Sequence, residues 1–270
     1  MKTRKRVIAA LAILAVATPV ATAAVIQGTD EGETIDGTDS RNLIYAKGGD
    51  DTVNAKGGHD LVRAGTGNDV VNGDNGRDRI GGGAGNDTLN GGAHRDWMHG
   101  GPGDDTINGD DGRDRAWGRG GDDVINGGKH RDLLFGNAGE DEIDGGEGRD
   151  RILGGAHDDV LSGGKHRDLL KGGPGDDTVY GDEGPDRIWL GRGEDTANGG
   201  PGNDRIYSLA RDGDSDLITC GEGRDVVLMR SEDTLVDGHG CERVRVVDAK
   251  KPTPAAKRPP KPAPAGAARS

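Results

Sequence analysis

Apolar residues return along this chain every nine positions. Starting at Val53 they recur at Val62, Val71, Ile80, Leu89, Met98 and Ile107 and continue to Ile206, with Ala116 and Ala197 the smallest members. Two residues before each stands an aspartate: Asp51, Asp60, Asp69, Asp78, Asp87, Asp96, Asp105, Asp114, Asp123, Asp132, Asp141, Asp150, Asp159, Asp168, Asp177, Asp186, Asp195 and Asp204. Glycines fill many of the places between, as in Gly82–Asn90, GGAGNDTLN. The six residues ending in the aspartate have turn chemistry, because glycine enters positive φ freely and lets backbones approach closely. The last three suit a short strand whose middle side chain points inward and whose neighbours point out. Such a unit buries nothing alone. Stacked, alternate repeats lie on opposite sides of a coil, so residues 18 apart sit over one another at about 4.8 Å. The pattern predicts an all-β solenoid over residues 24–207, with two parallel sheets and two edges of turns. Residues 25–45 are a degenerate lead-in: Glu33 and Asn42 hold the aspartate place, Ile35 and Ile44 the apolar place. Weakened terminal repeats are expected of a stacked array.

Composition adds a constraint. The chain has 270 residues, 52 glycines, 3% aromatic residues and a formal charge of −13. That cannot build a conventional mixed core. It would suit a disordered chain, but random polar segments do not keep phase. Stacked aspartates repel, and a hard cation with oxygen ligands removes that repulsion.

The frame GGxGxDxUx, with U a large apolar residue, resembles the RTX or haemolysin-type calcium-binding repeat. The resemblance runs through residues 46–207. It implies a right-handed parallel β-roll with Ca2+ between successive turns, held by the eighteen aspartates and by turn carbonyls. That family often attaches the roll to toxins, proteases or lipases, and no such domain accompanies it here. No nucleophile–base pair has a supporting scaffold. His130-Arg131-Asp132-Leu133 imitates a kinase catalytic loop but falls within the repeat frame. The chain is expected to be a calcium-binding protein rather than an enzyme.

An 18-residue period separates two unlike edges. On one, the residue before the aspartate is acidic or an amide: Asp50, Asn68, Asn86, Asp104, Asp122, Glu140, Asp158, Asp176 and Glu194. On the other it is Arg77, Arg95, Arg113, Arg131, Arg149 and Arg167, bounded by His59, Pro185 and Asn203. The arginine edge, with one compensating charge per turn, is expected to bind calcium more weakly. His94, His130 and His166 depart from the family pattern by replacing its third glycine on that edge, as His157 does on the other. The first three would stack about 9.6 Å apart, too far to share a zinc ion.

The outward faces differ as well. One carries Thr52/Asn54, Thr88/Asn90 and Thr106/Asn108. The other carries Trp97, Trp117, Phe135, Trp189 and Tyr207 interleaved with arginines. Such residues stack favourably without a ligand. They also suit a contact surface for a glycan, a cell-wall polymer or a surface protein. Nucleic acid is an unsuitable partner for so acidic a chain. An ice-binding role would need Thr and Asn along one turn edge, where only Gly65-Thr66-Gly67-Asn68 fits.

Residues 1–23 read as a signal peptide: a basic start, the apolar run Val7–Val16 and Ala21-Thr22-Ala23 before a mature start at Ala24. No later stretch is apolar enough to cross a bilayer. The chain is therefore expected to be secreted, extracellular or associated with the cell wall. Residues 208–247 break the nine-residue phase and hold the two cysteines, Cys220 and Cys241. They read as a C-terminal cap closed by a disulfide. Residues 248–270, rich in Pro, Ala and Lys, read as a disordered tail.

Overall fold

Short strands pair in parallel with the strands one full turn away. Thr88–Asn90 lies between Val70–Asn72 and Thr106–Asn108, with Leu89 opposite Val71 and Ile107. Trp97–Pro102 lies between Arg79–Ala84 and Arg115–Gly120, with Met98 opposite Ile80 and Ala116. Repeated along the chain, these pairings make two long parallel sheets facing each other. We call them the asparagine sheet and the aromatic sheet. The computed structural model describes residues 7–8, 23–236 and 240–247. Most of the expected leader and the whole expected tail, 248–270, lie outside the described residues. Among those described there is no helix. The thirteen strands of the aromatic sheet span roughly 58 Å at about 4.8 Å per step.

One inward side chain per strand makes the core. Val53, Val71, Leu89, Ile107 and Ile125 stack on the asparagine sheet and face Val62, Ile80, Met98, Ala116 and Leu134 on the other, all within 1% of full burial. The core is one side chain thick from each side. This explains how a chain with one phenylalanine can fold without a conventional interior. The lead-in belongs to the same coil. Ala24–Gln27, Thr34–Thr38 and Asn42–Gly48 pair in register with the array, and Ile35 and Ile44 are fully buried. Val7–Ile8, inside the expected leader, pairs with Thr34–Ile35.

The phase break alters the loop length and leaves the stacking intact. Thr196 pairs with Leu217 and Arg205 with Val226, a step of 21, and then Leu217 pairs with Thr234 and Val226 with Arg243, a step of 17. Residues 208–247 thus continue both sheets. Polar bonds fix the longer loop. The Ser208 hydroxyl lies within hydrogen-bond reach of the Asp216 and Asp233 carboxylates and donates its one proton between them, and that of Ser215 donates to the Glu232 carbonyl at 2.6 Å. The largely buried Arg230 guanidinium donates to the carbonyls of Val247 at 2.6 Å and Leu209 at 3.1 Å. A disulfide joins Cys220 to Cys241, with Cα atoms 5.4 Å apart. Closing a loop of this size stabilises by about 3 kcal/mol. It acts on the last strands, whose open edge would otherwise invite pairing with another chain.

Candidate metal centres at the turns

Each repeat aspartate lies at the junction of turn and strand, and its carboxylate turns into the coil. All eighteen are at most 2% exposed. One oxygen of each has a defined partner. The N–H of Asp87 donates to Asp105 Oδ1 at 2.8 Å, and the N–H of Asp96 to Asp114 Oδ1 at 2.7 Å. The same bond recurs at every level, from the N–H of Glu33 onto Asp51 to the N–H of Asp204 onto Asp225, at 2.6–3.0 Å. Each carboxylate therefore caps the backbone of the turn 18 residues before it. The other oxygen is different. In seventeen of the eighteen, Oδ2 is buried without a hydrogen-bond partner; Asp195 is the exception, accepting from Gly191 N–H at 2.8 Å.

An unpaired buried carboxylate oxygen is costly, because burial disfavours its charge. Accordingly, burial pushes Asp105, Asp141 and Asp177 up to about 6, Asp114 and Asp123 to about 7, and Asp96, Asp132, Asp168 and Asp204 to about 8. The backbone N–H bond opposes this shift in each case and does not overcome it. The highest values fall on the arginine edge.

The glycines form the rest of the cradle. A Cβ on Gly100, Gly118 or Gly136 would overlap Oδ2 of Asp105, Asp123 or Asp141, so the first glycine of the turn makes room for that oxygen. On the arginine edge the gap is wider: a Cβ on Gly91 or Gly109 would lie 2.9 or 3.0 Å from Oδ2 of Asp96 or Asp114. Turn carbonyls point along the coil at the next turn. A Cβ on Gly103 would collide with the Gly85 carbonyl, and one on Gly112 with that of His94. His94, His130, His157 and His166 take φ of 90°, 77°, 84° and 84°, so histidine keeps the turn's backbone in place of glycine. Among the described residues, no three His, Cys, Asp or Glu side chains converge on one point. A cation here would be held by Oδ2 oxygens together with turn carbonyls, an all-oxygen donor set of the kind calcium takes.

The two edges differ in a way the residue types alone did not reveal. On the acidic edge the residue before the aspartate serves the backbone. Asp104 Oδ1 accepts the N–H of Asp122 at 3.0 Å, and Asp122 Oδ1 that of Glu140 at 2.8 Å. Arginine has no acceptor and cannot replace this bond. It reappears where the arginine row ends: Arg77 N–H donates to His59 Nδ1 at 2.9 Å, and Arg224 N–H to Asn203 Oδ1 at 3.0 Å. The asparagine sheet hides a second ladder. The Nδ2 of Asn72, Asn90, Asn108 and Asn126 each donates to Oδ1 of the asparagine one turn earlier, at 2.8–3.0 Å. Asparagine at 18-residue intervals was the available signal for it. On the aromatic sheet, Trp117 stacks on Phe135 at 5.6 Å between ring centroids and meets Trp97 edge-on at 6.4 Å. Trp189 stacks on Tyr207 at 4.8 Å, so the five aromatics form two separate groups.

This geometry defines a class: a parallel β-solenoid whose turns bury one carboxylate each beside glycine carbonyls. A family model described as the RTX calcium-binding nonapeptide repeat matches overlapping segments from residue 27 to residue 206. The chain belongs to that family, which supports calcium binding by the roll. No curated protein matches this chain. No helix of the described residues is long and apolar enough to cross a membrane.

Proposed function

We propose that this chain is an exported protein that folds on calcium outside the cell and serves there as a structural or ion-binding surface component. The observation that carries this reading is the unpaired Oδ2 found in seventeen of the eighteen repeats. Asp51 through Asp204 at nine-residue intervals are the proposed ligands, completed by turn carbonyls. Calcium sites in extracellular modules have dissociation constants of about 0.1–1 mM. Export agrees with the disulfide, which persists in oxidising compartments. It agrees also with Ala24, the expected mature start, which opens the first strand of the lead-in.

The two edges are expected to bind unequally. Replacing Asp105, Asp123 and Asp141 with alanine should reduce calcium uptake, measured by equilibrium dialysis, more than replacing Asp114, Asp132 and Asp150. On the arginine edge the neighbouring cations oppose a second one, and protons compete harder for the carboxylates. Equal losses from the two triple variants refute the asymmetry.

The stacked outward aromatics favour a second reading, an adhesin that binds a glycan or wall polymer through the aromatic sheet. Trp117→Ser, Phe135→Ser and Trp189→Ser leave the one-residue core untouched. In an adhesin these variants lose binding to cells or glycans while keeping calcium uptake. In a purely structural protein they change neither.

A further inference from the structure

Large side chains line the outward row of the aromatic sheet at every level around Tyr45, Arg63, His99, Trp117 and Phe135, except one. Gly81 stands in that row between Arg63 and His99. The missing side chain leaves a notch of about 770 Å³ floored by the sheet. His99 leans over it, so a Cβ on Gly81 would come within 2.6 Å of the imidazole Cε1. Arg63, Arg79, Arg119, Trp97, Trp117 and Asn137 complete the lining. Not one carboxylate is among these residues, although the chain carries a net charge of −13. None of the three arginines is in an ion pair among the described residues. Arg79 lies 5.2 Å from the Trp97 ring centroid and Arg115 5.0 Å from it, which fixes the indole while leaving it 39% exposed.

We propose that this notch binds a sugar ring carrying a carboxylate, a uronic acid unit of an extracellular polysaccharide. The proposal deepens the second reading above and rests on it. Trp97, flanked on its two sides by Arg79 and Arg115, offers its exposed ring edge to the C–H bonds of a pyranose. A guanidinium offers a planar fork that matches a carboxylate in two parallel bonds. Burial holds His99 below its ordinary value, so its neutral ring and the Asn137 amide supply donors and acceptors to hydroxyls. The three unpaired cations select for an anion, and the single vacant row position admits one ring. Arg119 and Asn137 reach the notch from the start of their turns, but none of the proposed calcium-binding aspartates lines it.

The test is isothermal titration of the calcium-saturated protein with a short oligogalacturonate, the corresponding neutral oligogalactose, and polyglutamate. The acidic oligosaccharide should bind, and Arg79→Gln should weaken it about tenfold, the scale of one lost charge-assisted contact. Gly81→Val, which raises the floor of the notch, should do the same. It presses only on the swinging end of His99, so an unchanged circular-dichroism spectrum reports an intact coil. Tyr180→Ser, on the asparagine sheet, should leave affinity unchanged. Equal affinity for the neutral sugar or for polyglutamate overturns the proposal, as does undiminished binding by Gly81→Val and Arg79→Gln. If acidic sugar binds but is lost only in Trp189→Ser, the glycan reading stands and the notch falls. If no oligosaccharide binds, both fall.

Discussion

Chelating calcium at about pH 7.5 is expected to abolish the β-sheet circular-dichroism signal, and acidifying the chelated protein to restore part of it. At neutral pH the folded, ion-free coil must bury a column of carboxylates along each edge. Neighbours in a column are one turn apart, and two charges at about 4.8 Å repel by about 3 kcal/mol at an effective dielectric of about 20. Each pKa unit of upward displacement also counts about 1.4 kcal/mol against the charged form. Burial raises these aspartates from 3.8 to about 6 at Asp105, about 7 at Asp114 and about 8 at Asp132. Between 3.8 and those values the folded coil holds more protons than the unfolded chain. The stability of the ion-free coil therefore falls as pH rises from about 4 to about 8, and is fully present only below the unfolded value. Calcium replaces the proton and reverses the trend, because ligands must be deprotonated to bind it. Protons and calcium should thus act as alternative folding ligands. A β signal at neutral pH that survives chelation unchanged would sink calcium-coupled folding.

Two glycines, two residues apart, should respond oppositely to the same substitution. Gly118→Ala places a methyl group against the Asp123 carboxylate, on the side of the unpaired Oδ2. The clash forces the carboxylate from its pocket, at a cost of about 1–3 kcal/mol or more. It also removes the oxygen proposed to hold the ion. Each level contacts only its neighbours, so a failed turn in mid-array separates the levels before it from those after. Gly120→Ala meets nothing closer than the Ala138 carbonyl at 4.0 Å, and its φ lies outside the left-handed region. It should be neutral or stabilise by about 0.4–1 kcal/mol through the unfolded chain. Urea titrations in saturating calcium distinguish the two. Similar midpoints for both variants would show that the first glycine is not there to accommodate the carboxylate.

The legible parts of this protein are those that repeat. Nine-residue spacing placed Leu89 and Met98 in the core and Asp87 and Asp96 at the turns, because a coil converts sequence phase directly into position. It carried through the weak lead-in, where Ile35 and Ile44 kept the apolar place. The closing segment was harder to see. Lengthening the step to 21 and shortening it to 17 hides a continuing stack from any fixed period, and only the hydrogen bonds of Ser208 and Arg230 show how the slack is held. Roles divided between a side chain and a distant backbone were also hidden. Asp104 and Asp122 look like extra acidic ligands, yet each accepts an N–H from the next turn. Asn72 and Asn90 look bland until the 18-residue register puts amide over amide. The notch was invisible for the converse reason, since Gly81 resembles every other glycine until the row around it is drawn.

The 18-residue register has a consequence for inheritance. Deleting or duplicating 18 residues changes the length of this protein by one step and leaves every surface continuous. A change of nine keeps the fold equally well but exchanges left for right downstream: arginines would follow acids along an edge, and Trp189 and Tyr207 would move to the sheet opposite Trp97 and Trp117. Length in such a molecule is free to vary only in even counts of its repeat, so its surfaces, rather than its core, set the unit in which its gene can grow.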